Sequence, residues 1–250
     1  MTIIKQLEKN FKVRRGVSSS ITIEENNAIA FTEKQMEEVV QHYIDEATKE
    51  ELQNLHFEIS SKSPNYDVYK KCFQVNHFEN SGEKIVVFKD IHSIEDVENE
   101  FDLKLIEEVG EAEFQSIWHE TLKGSVELKE PMLFEQFVSV LQKEMGERWK
   151  EYCLTITVNE KTIGIIIPYI ERGTLEEGKL MYFGIVPSMR GKGYEATLFE
   201  KAMFVLKEIG ATYYIGNADV ENKWMKDVFE KTNCRQLSST ERYTKTITQG

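Results

Sequence analysis

No stretch of the 250-residue chain approaches the roughly 18 consecutive apolar residues that a membrane-crossing helix needs, so no membrane partner is expected. The first residues, MTIIKQLEKNFKVRR, lack the apolar core and small-residue cleavage site of a secretion signal, and export is not expected either. Cysteine is scarce. Cys72, Cys153 and Cys234 are odd in number and far apart in sequence, which suits a reducing cytoplasm and makes neither a disulfide framework nor a metal spacing. His42, His56, His77, His92 and His119 form no metal spacing, so no metal is expected. Positive charge is outweighed, 31 Lys and Arg against 43 Asp and Glu; the net −12 argues against broad nucleic-acid binding and is compatible with a cationic amine substrate. What is present, 40% apolar and 30% charged residues, describes an ordinary soluble globular chain, long enough for one large core or two smaller ones.

The most informative stretch is KLMYFGIVPSMRGKGYEATL, residues 179–198. Strand-forming residues end at Pro187, a turn of Arg190, Gly191, Lys192 and Gly193 follows, and an amphipathic stretch begins at Tyr194. Strand, glycine turn and helix together build an anion site. Backbone N–H groups of the turn and the helix N-terminus converge on one spot, and the helix dipole favours negative charge there. Glycine permits the tight turn and the close approach of a ligand. Arg190 and Lys192 add positive charge, so the ligand is expected to carry phosphates. The turn is neither a P-loop, since no Gly-Lys-Ser/Thr follows at the required spacing, nor a complete dinucleotide fingerprint.

These residues resemble the GNAT superfamily of N-acetyltransferases, whose signature is a strand ending V-x-P followed by R/Q-x-x-G-x-G/A at the start of a helix. Ile185, Val186 and Pro187 occupy the first part; Arg190, Gly191, Lys192, Gly193 and Tyr194 occupy most of the second. The sixth position, Gly or Ala in the family, is Glu195, and Ala196 comes one place late. A carboxylate beside a pyrophosphate is repulsive unless it points away. A second match lies downstream, where the family reads roughly N-x-x-A-x-x-L-Y-E-K-x-G-F. Asn222, Met225, Val228, Phe229, Glu230, Lys231, Asn233 and Cys234 stand at those places. Asn233 replaces the glycine that ends the helix in the left-handed conformation, for which Asn is the usual substitute.

The resemblance implies an α/β fold with a strongly twisted mixed sheet flanked by helices, laid out from about residue 100 to 250. Residues 101–109 read as its first strand and 111–122 as a helix with Phe114, Ile117, Trp118 and Leu122 at helical spacing; a second helix follows Pro131. Strands are expected at 152–158 and 162–171, joined by a turn at Asn159, Glu160 and Lys161. A loop over 172–178 leads to a strand at 179–186. Next come a helix over 194–209 burying Leu198, Ala202, Val205, Leu206 and Ile209, a strand at 211–218, a helix over about 221–232 and a last strand or hairpin. Residues 1–95 read as a smaller αβαβ lobe, with helices over 31–48 and 64–78 and strands at 52–60 and 83–89; the acidic stretch 90–102 is the junction. Asn65 and Asn76 are spaced like Asn222 and Asn233. The lobe is therefore either a degenerate half-GNAT repeat from an old duplication or an unrelated appendage; no phosphate turn precedes its long helix, so it is not expected to bind CoA.

The family's activity would be acetyl transfer from acetyl-CoA, as co-substrate, to a primary amine of a small molecule or a protein. The resemblance assigns the cofactor to Ile185, Val186, Arg190, Gly191, Lys192, Gly193, Tyr194, Glu195, Ala196 and Asn222. Strand 179–186 would supply an N–H donor to the tetrahedral oxyanion from a splayed, bulged edge. The pantetheine arm would run between it and strand 211–218, with Asn222 bonding the arm. The general base is less marked: Glu171 ends a strand near the expected acceptor cleft, and Tyr182 lies just before Ile185. Phe229 stands where many family members carry the tyrosine that protonates the departing thiolate; Tyr213, Tyr214 and Tyr243 are alternatives. His119 reads as a surface residue, Trp118, Trp149 and Trp224 as packing, and Lys12, Arg14 and Arg15 as a solvated arm. A second reading, motivated by Glu195 and Phe229 together, is a non-catalytic GNAT-fold CoA-binding or regulatory protein. The acceptor's identity is set by loops that no motif defines, and a homodimer remains open.

Overall fold

The computed structural model describes residues 10–15, 19–25, 29–96, 101–124 and 132–247. Residues 1–9 of the N-terminal stretch, 97–100 of the acidic junction, and the 125–131 connection with Pro131 lie outside them. The chain forms two compact units, one of residues 1–85 with 238–250 and the other of residues 86–237.

The first unit opens with a feature the sequence reading did not anticipate. Phe11–Arg15 and Ser20–Glu25 form an antiparallel pair, β1 and β2. The basic residues read as a solvated arm are therefore strand residues: Arg14 Nε lies 2.7 Å from Glu24, and Arg15 pairs with Glu50. Helix α1, Glu33–Lys49, follows with a capping box between Thr32 and Gln35 that satisfies backbone donors at its start. Its buried Met36, Val39, Val40, Tyr43 and Ala47 recur every three or four residues, one apolar stripe. Strand β3, Asn54–Ser60, alternates buried and half-exposed residues and runs parallel to β2 over five rungs, Ser20↔Asn54 to Glu24↔Glu58. Helix α2, Tyr66–Val75, completes the layer. Phe57 is the centre of the core, its ring 5.1 to 6.4 Å from those of Tyr43, Tyr69, Phe73 and Phe78. Burying one such side chain stabilises by about 2–3 kcal/mol.

Two long strands, β4 (Glu79–Asp90) and β10 (Arg235–Thr246), each begin in one unit and end in the other. In the first unit β10 pairs antiparallel with β3, from Thr240↔Ser60 to Thr246↔Asn54. Arg242 Nε donates to Glu58 at 2.8 Å, and Lys84 stands 3.9 Å from the same carboxylate.

The second unit is built on the antiparallel strands β5 (Phe101–Leu105), β6 (Leu154–Val158), β7 (Lys161–Ile170) and β8 (Glu177–Ile185), with β9 (Tyr213–Asp219) parallel to β8. Residues 101–109, expected as one strand, divide at Leu105, and Ile106–Val109 form a short helix, α3. Asn159 and Glu160 both adopt positive φ, +47° and +64°, the geometry of a type I′ hairpin turn. Strand β7 is almost wholly apolar because it is buried on both faces. Helices α4 (Glu111–Leu122) and α5 (Phe134–Met145), followed by a 3₁₀ helix over Gly146–Tyr152, pack Phe114, Trp118, Phe137 and Leu141 against Ile165 and Ile167. Helices α6 (Tyr194–Glu208) and α7 (Lys223–Lys231) bury Leu198, Phe199, Ala202, Met203 and Leu206, and Met225, Val228 and Phe229. Ile209, expected in the core, is 37% exposed: the helix ends at Glu208, and the chain turns at Gly210 with φ +107°. The mixed α/β architecture, a large mixed sheet flanked by helices, is the one expected.

Candidate active site

Strands β8 and β9 pair only at Glu177↔Tyr213 and Gly178↔Tyr214, then run on to Ile185 and Asp219 without further rungs. The sheet is therefore open in its plane beside the second half of β8. One cause is visible in β8 itself. Its register against β7 slips between Ile167↔Tyr182 and Pro168↔Leu180, leaving Met181 as an extra residue. Such a bulge bends a strand and increases its twist. It also puts Met181 and Tyr182 together against the α4–α5 cluster, where strict alternation would separate them. Proline at position 168 donates no ladder hydrogen bond, which favours the slip at that place.

At the end of β8 the Val186 N–H donates to Ile163 O, and a 3₁₀ turn over Pro187–Met189 leads into the glycine turn. Gly191 and Gly193 have φ of +68° and +89°, conformations costly for other residues. A Cβ placed on either would meet nothing within 4 Å, so the turn's outer side is open. The backbone then enters α6 at Tyr194, whose ring packs edge-on to Phe101 at 6.1 Å; Ala196 lies half-buried in the first turn.

Two side chains of the turn do something a linear reading does not disclose. The Arg190 guanidinium donates to three main-chain carbonyls: Ile185 O (2.9 Å), Thr121 O (2.8 Å) and Lys123 O (2.6 Å). The last two belong to the C-terminal end of α4, where helix carbonyls lack partners and the dipole favours a cation. Glu195, for its part, turns back: its Oε1 accepts from Gly191 N–H at 2.6 Å. Lys192 is exposed, its Nζ 3.5 Å from the Met189 sulfur.

Asn222 is nearly buried at the N-cap of α7, and its Oδ1 accepts from Met225 N–H at 3.0 Å. Asn233 is left-handed at φ +57°, ending that helix as expected. Trp224, read as packing, stacks on Phe183 of β8 at 5.6 Å and 20°, and its buried Nε1 has no hydrogen-bond partner among the described residues. Phe229 points into the core against Phe199.

The two proposed base residues do not form a pair. Tyr182 shares a hydrogen bond with Thr121 Oγ1 at 2.7 Å and sits over Gly184, where a Cβ would be 2.6 Å from its ring. Glu171 is nearly buried just after the end of β7, accepting from Tyr169 OH at 3.2 Å. Tyr182 pairs with Ile167, so Glu171 lies four residues farther along the strand, roughly 13 Å away. Among the alternatives for the acid, Tyr213 OH donates to Glu177 at 3.4 Å, and burial pushes its phenol upward first, Glu177 further. Tyr214 is buried over Gly216. Tyr243 belongs to the first unit, its hydroxyl held by Glu241 at 2.6 Å. His119 is exposed. Thr121 carried no sequence signal; it acquires its place through Tyr182 and through the carbonyl it offers to Arg190.

No protein-family model matches the chain. By sequence it is similar to N-alpha-acetyltransferase 30 of Schizosaccharomyces pombe, 26% identical over 120 residues that span 47% of this chain and 80% of that protein. By structure it is similar to a GCN5-related N-acetyltransferase from Sphaerobacter thermophilus (TM-score 0.70, 12% identity, 95% of this chain and 76% of that one). It is also similar to a tandem GNAT protein from the clavulanic acid biosynthesis pathway (TM-score 0.66, 10% identity, 95% and 78%) and to a GCN5-related N-acetyltransferase from Kribbella flavida (TM-score 0.63, 10% identity, 96% and 91%). A bulged strand parted from its parallel neighbour, a glycine turn opening a helix, and these likenesses together give the chain the fold of the GCN5-related N-acetyltransferases.

Proposed function

We propose that this chain is an N-acetyltransferase that transfers the acetyl group of acetyl-CoA to a primary amine of a small molecule or protein. The observation that carries the reading is the opening between β8 and β9 with the glycine turn at its end. The slot would take the extended pantetheine arm, and the turn would offer backbone N–H groups to phosphates at the positive end of α6. The residues fit the cofactor: the space over Gly191 and Gly193 is open, and the cationic Lys192 is exposed between them. Ile185, Val186, Arg190, Gly191, Lys192, Gly193, Tyr194, Glu195, Ala196 and Asn222 would form the lining, the Arg190 side chain acting by holding the turn against α4.

An acceptor amine with a pKa near about 10.4 must lose its proton before it attacks. Glu171, just after the end of β7, or Tyr182, against the α4–α5 cluster, would take that proton directly or through water. Main-chain N–H groups along the unpaired edge of β8 would hold the oxyanion. With Phe229 packed in the core, a proton for the thiolate would come from water or from a tyrosine such as Tyr213. The likeness to an N-alpha-acetyltransferase favours testing peptide N-termini among the acceptors.

The first unit is proposed to be a degenerate half of the same fold. In support, β1–β2–α1–β3–α2–β4 follows the order β7–β8–α6–β9–α7–β10, with β2 parallel to β3 as β8 is to β9. Asn65, like Asn222, stands at the N-cap, but its side chain instead bonds Phe31 N–H, Ile29 O and Glu25. The matching left-handed residue is His77 (φ +57°), not Asn76. Because β2 and β3 stay paired over five rungs, this copy offers no slot for a pantetheine arm. A non-catalytic CoA-binding or regulatory role is favoured by the Glu195 contact and by Phe229. Calorimetric titration with acetyl-CoA, followed by a thiol-release assay over an amine and peptide panel, separates the readings. Binding with turnover supports the enzyme, binding without turnover supports a CoA-binding role, and no binding at millimolar ligand refutes both of these and leaves a regulatory scaffold.

A further inference from the structure

Resting on the acetyl-CoA reading, we infer that Glu195 is a built-in competitor for the phosphate site. Its carboxylate occupies a donor of the turn, and an incoming pyrophosphate must displace it. Three observations carry this. Glu195 Oε1 accepts from Gly191 N–H at 2.6 Å, a short charge-assisted bond from one of the two residues whose positive φ shapes the turn. Glu195 lies in the first turn of α6, where the helix dipole holds a negative charge favourably, so the contact stabilises the turn without ligand. The outer side of Gly191 and Gly193 is open, so the turn leaves room for an incoming phosphate at the donor that the carboxylate holds. The turn is thus kept in a binding-competent shape by an internal anion that the ligand replaces.

The consequence has a definite sign. If Glu195 only braced the turn, removing it would loosen the site and weaken binding. If it competes, removing it exposes a donor and deletes a negative charge next to the ligand's phosphates, and binding tightens. One repulsion of this kind at the protein surface corresponds to roughly ten-fold in affinity.

The experiment is calorimetric titration of the full chain and of the Glu195→Ala and Glu195→Gln variants with CoA, and with pantetheine, which lacks the pyrophosphate. The expected result is CoA binding about ten-fold tighter for Glu195→Ala, with Glu195→Gln in between, pantetheine affinity unchanged, and a slightly lower Tm for both unliganded variants. Glu195→Gln keeps the side chain's size, so the comparison survives if the alanine variant folds poorly. Equal or weaker CoA binding by both variants overturns the inference while the acetyl-CoA reading stands. An equal gain for pantetheine overturns it too, since the effect would then be one of shape. No binding by any of the three proteins at millimolar CoA overturns both.

Discussion

Replacing Arg190 discriminates between two jobs that one sequence position can hold. In the linear reading its charge serves the anion site; in the structure its guanidinium bridges β8 to the end of α4 through Ile185 O, Thr121 O and Lys123 O. A hydrogen bond to a charged group contributes about 1.5–3 kcal/mol when buried. Arg190 is partly exposed, so about half of that applies to each, and the three together contribute roughly 2–4 kcal/mol. For a chain of this size each kcal/mol moves Tm by about 2–4 °C. Arg190→Ala is therefore expected to lower Tm by roughly 5–15 °C in a thermal melt followed by circular dichroism. Arg190→Lys keeps the charge but not a planar fork that reaches three carbonyls, and should recover less than half of the loss. The reasoning is refuted if both variants melt like the parent while CoA affinity collapses in the alanine variant alone, because the guanidinium would then be acting on the ligand.

Gly193→Asp should abolish CoA binding while leaving far-UV circular dichroism unchanged, because a charged side chain on a φ of +89° fills the open side of the turn at about 1 kcal/mol of backbone strain. Asn222→Ala removes the cap of α7 and should cost about 1 kcal/mol in urea unfolding, whereas Asn222→Ser restores the cap; CoA affinity that stays low in the serine variant would assign the carboxamide to the ligand. Burial pushes the Glu58 carboxyl up, but Lys84 and Arg242 more than offset this and hold it below the ordinary carboxylate value. With a depressed folded-state pKa, its contribution is present above the ordinary value and lost as pH falls through the folded one. Urea midpoints between pH 7 and pH 3 should drop less for Glu58→Gln than for the parent. Burial raises the Cys153 thiol to about 12, so at pH 8 an alkylating reagent should label it only after unfolding.

Much of the candidate site's backbone was legible because its signals are local. Glycine at 191 and 193 reports backbone conformations that other residues resist, and both have positive φ. The period of apolar residues in 111–122 matched a helix of those bounds, since one buried stripe suffices to define it. Strands β1 and β2 were missed although Ile21 and Ile23 alternate with polar residues, because both are short and the first, rich in basic residues, resembles a solvated arm. Glu171 and Tyr182 were both singled out, yet nothing in their order along the chain tells that Tyr182 stands opposite Ile167, four residues before Glu171.

Sequence by itself determined the glycine turn and, from about residue 111 to 234, the order of helices and strands, because φ preferences, capping and periodicity act over a few residues. Tertiary structure alone decided which partners the charged side chains found. Arg190 turned from the ligand side to the end of α4, and Glu195 folded back onto Gly191, because each hydrogen bond depends on atoms that only the packed chain brings within 3 Å. The same holds for the bulge at Met181 and for the pairing of β10 with β3, where register is set by neighbours up to about 190 residues distant along the chain and not by the strand's own residues.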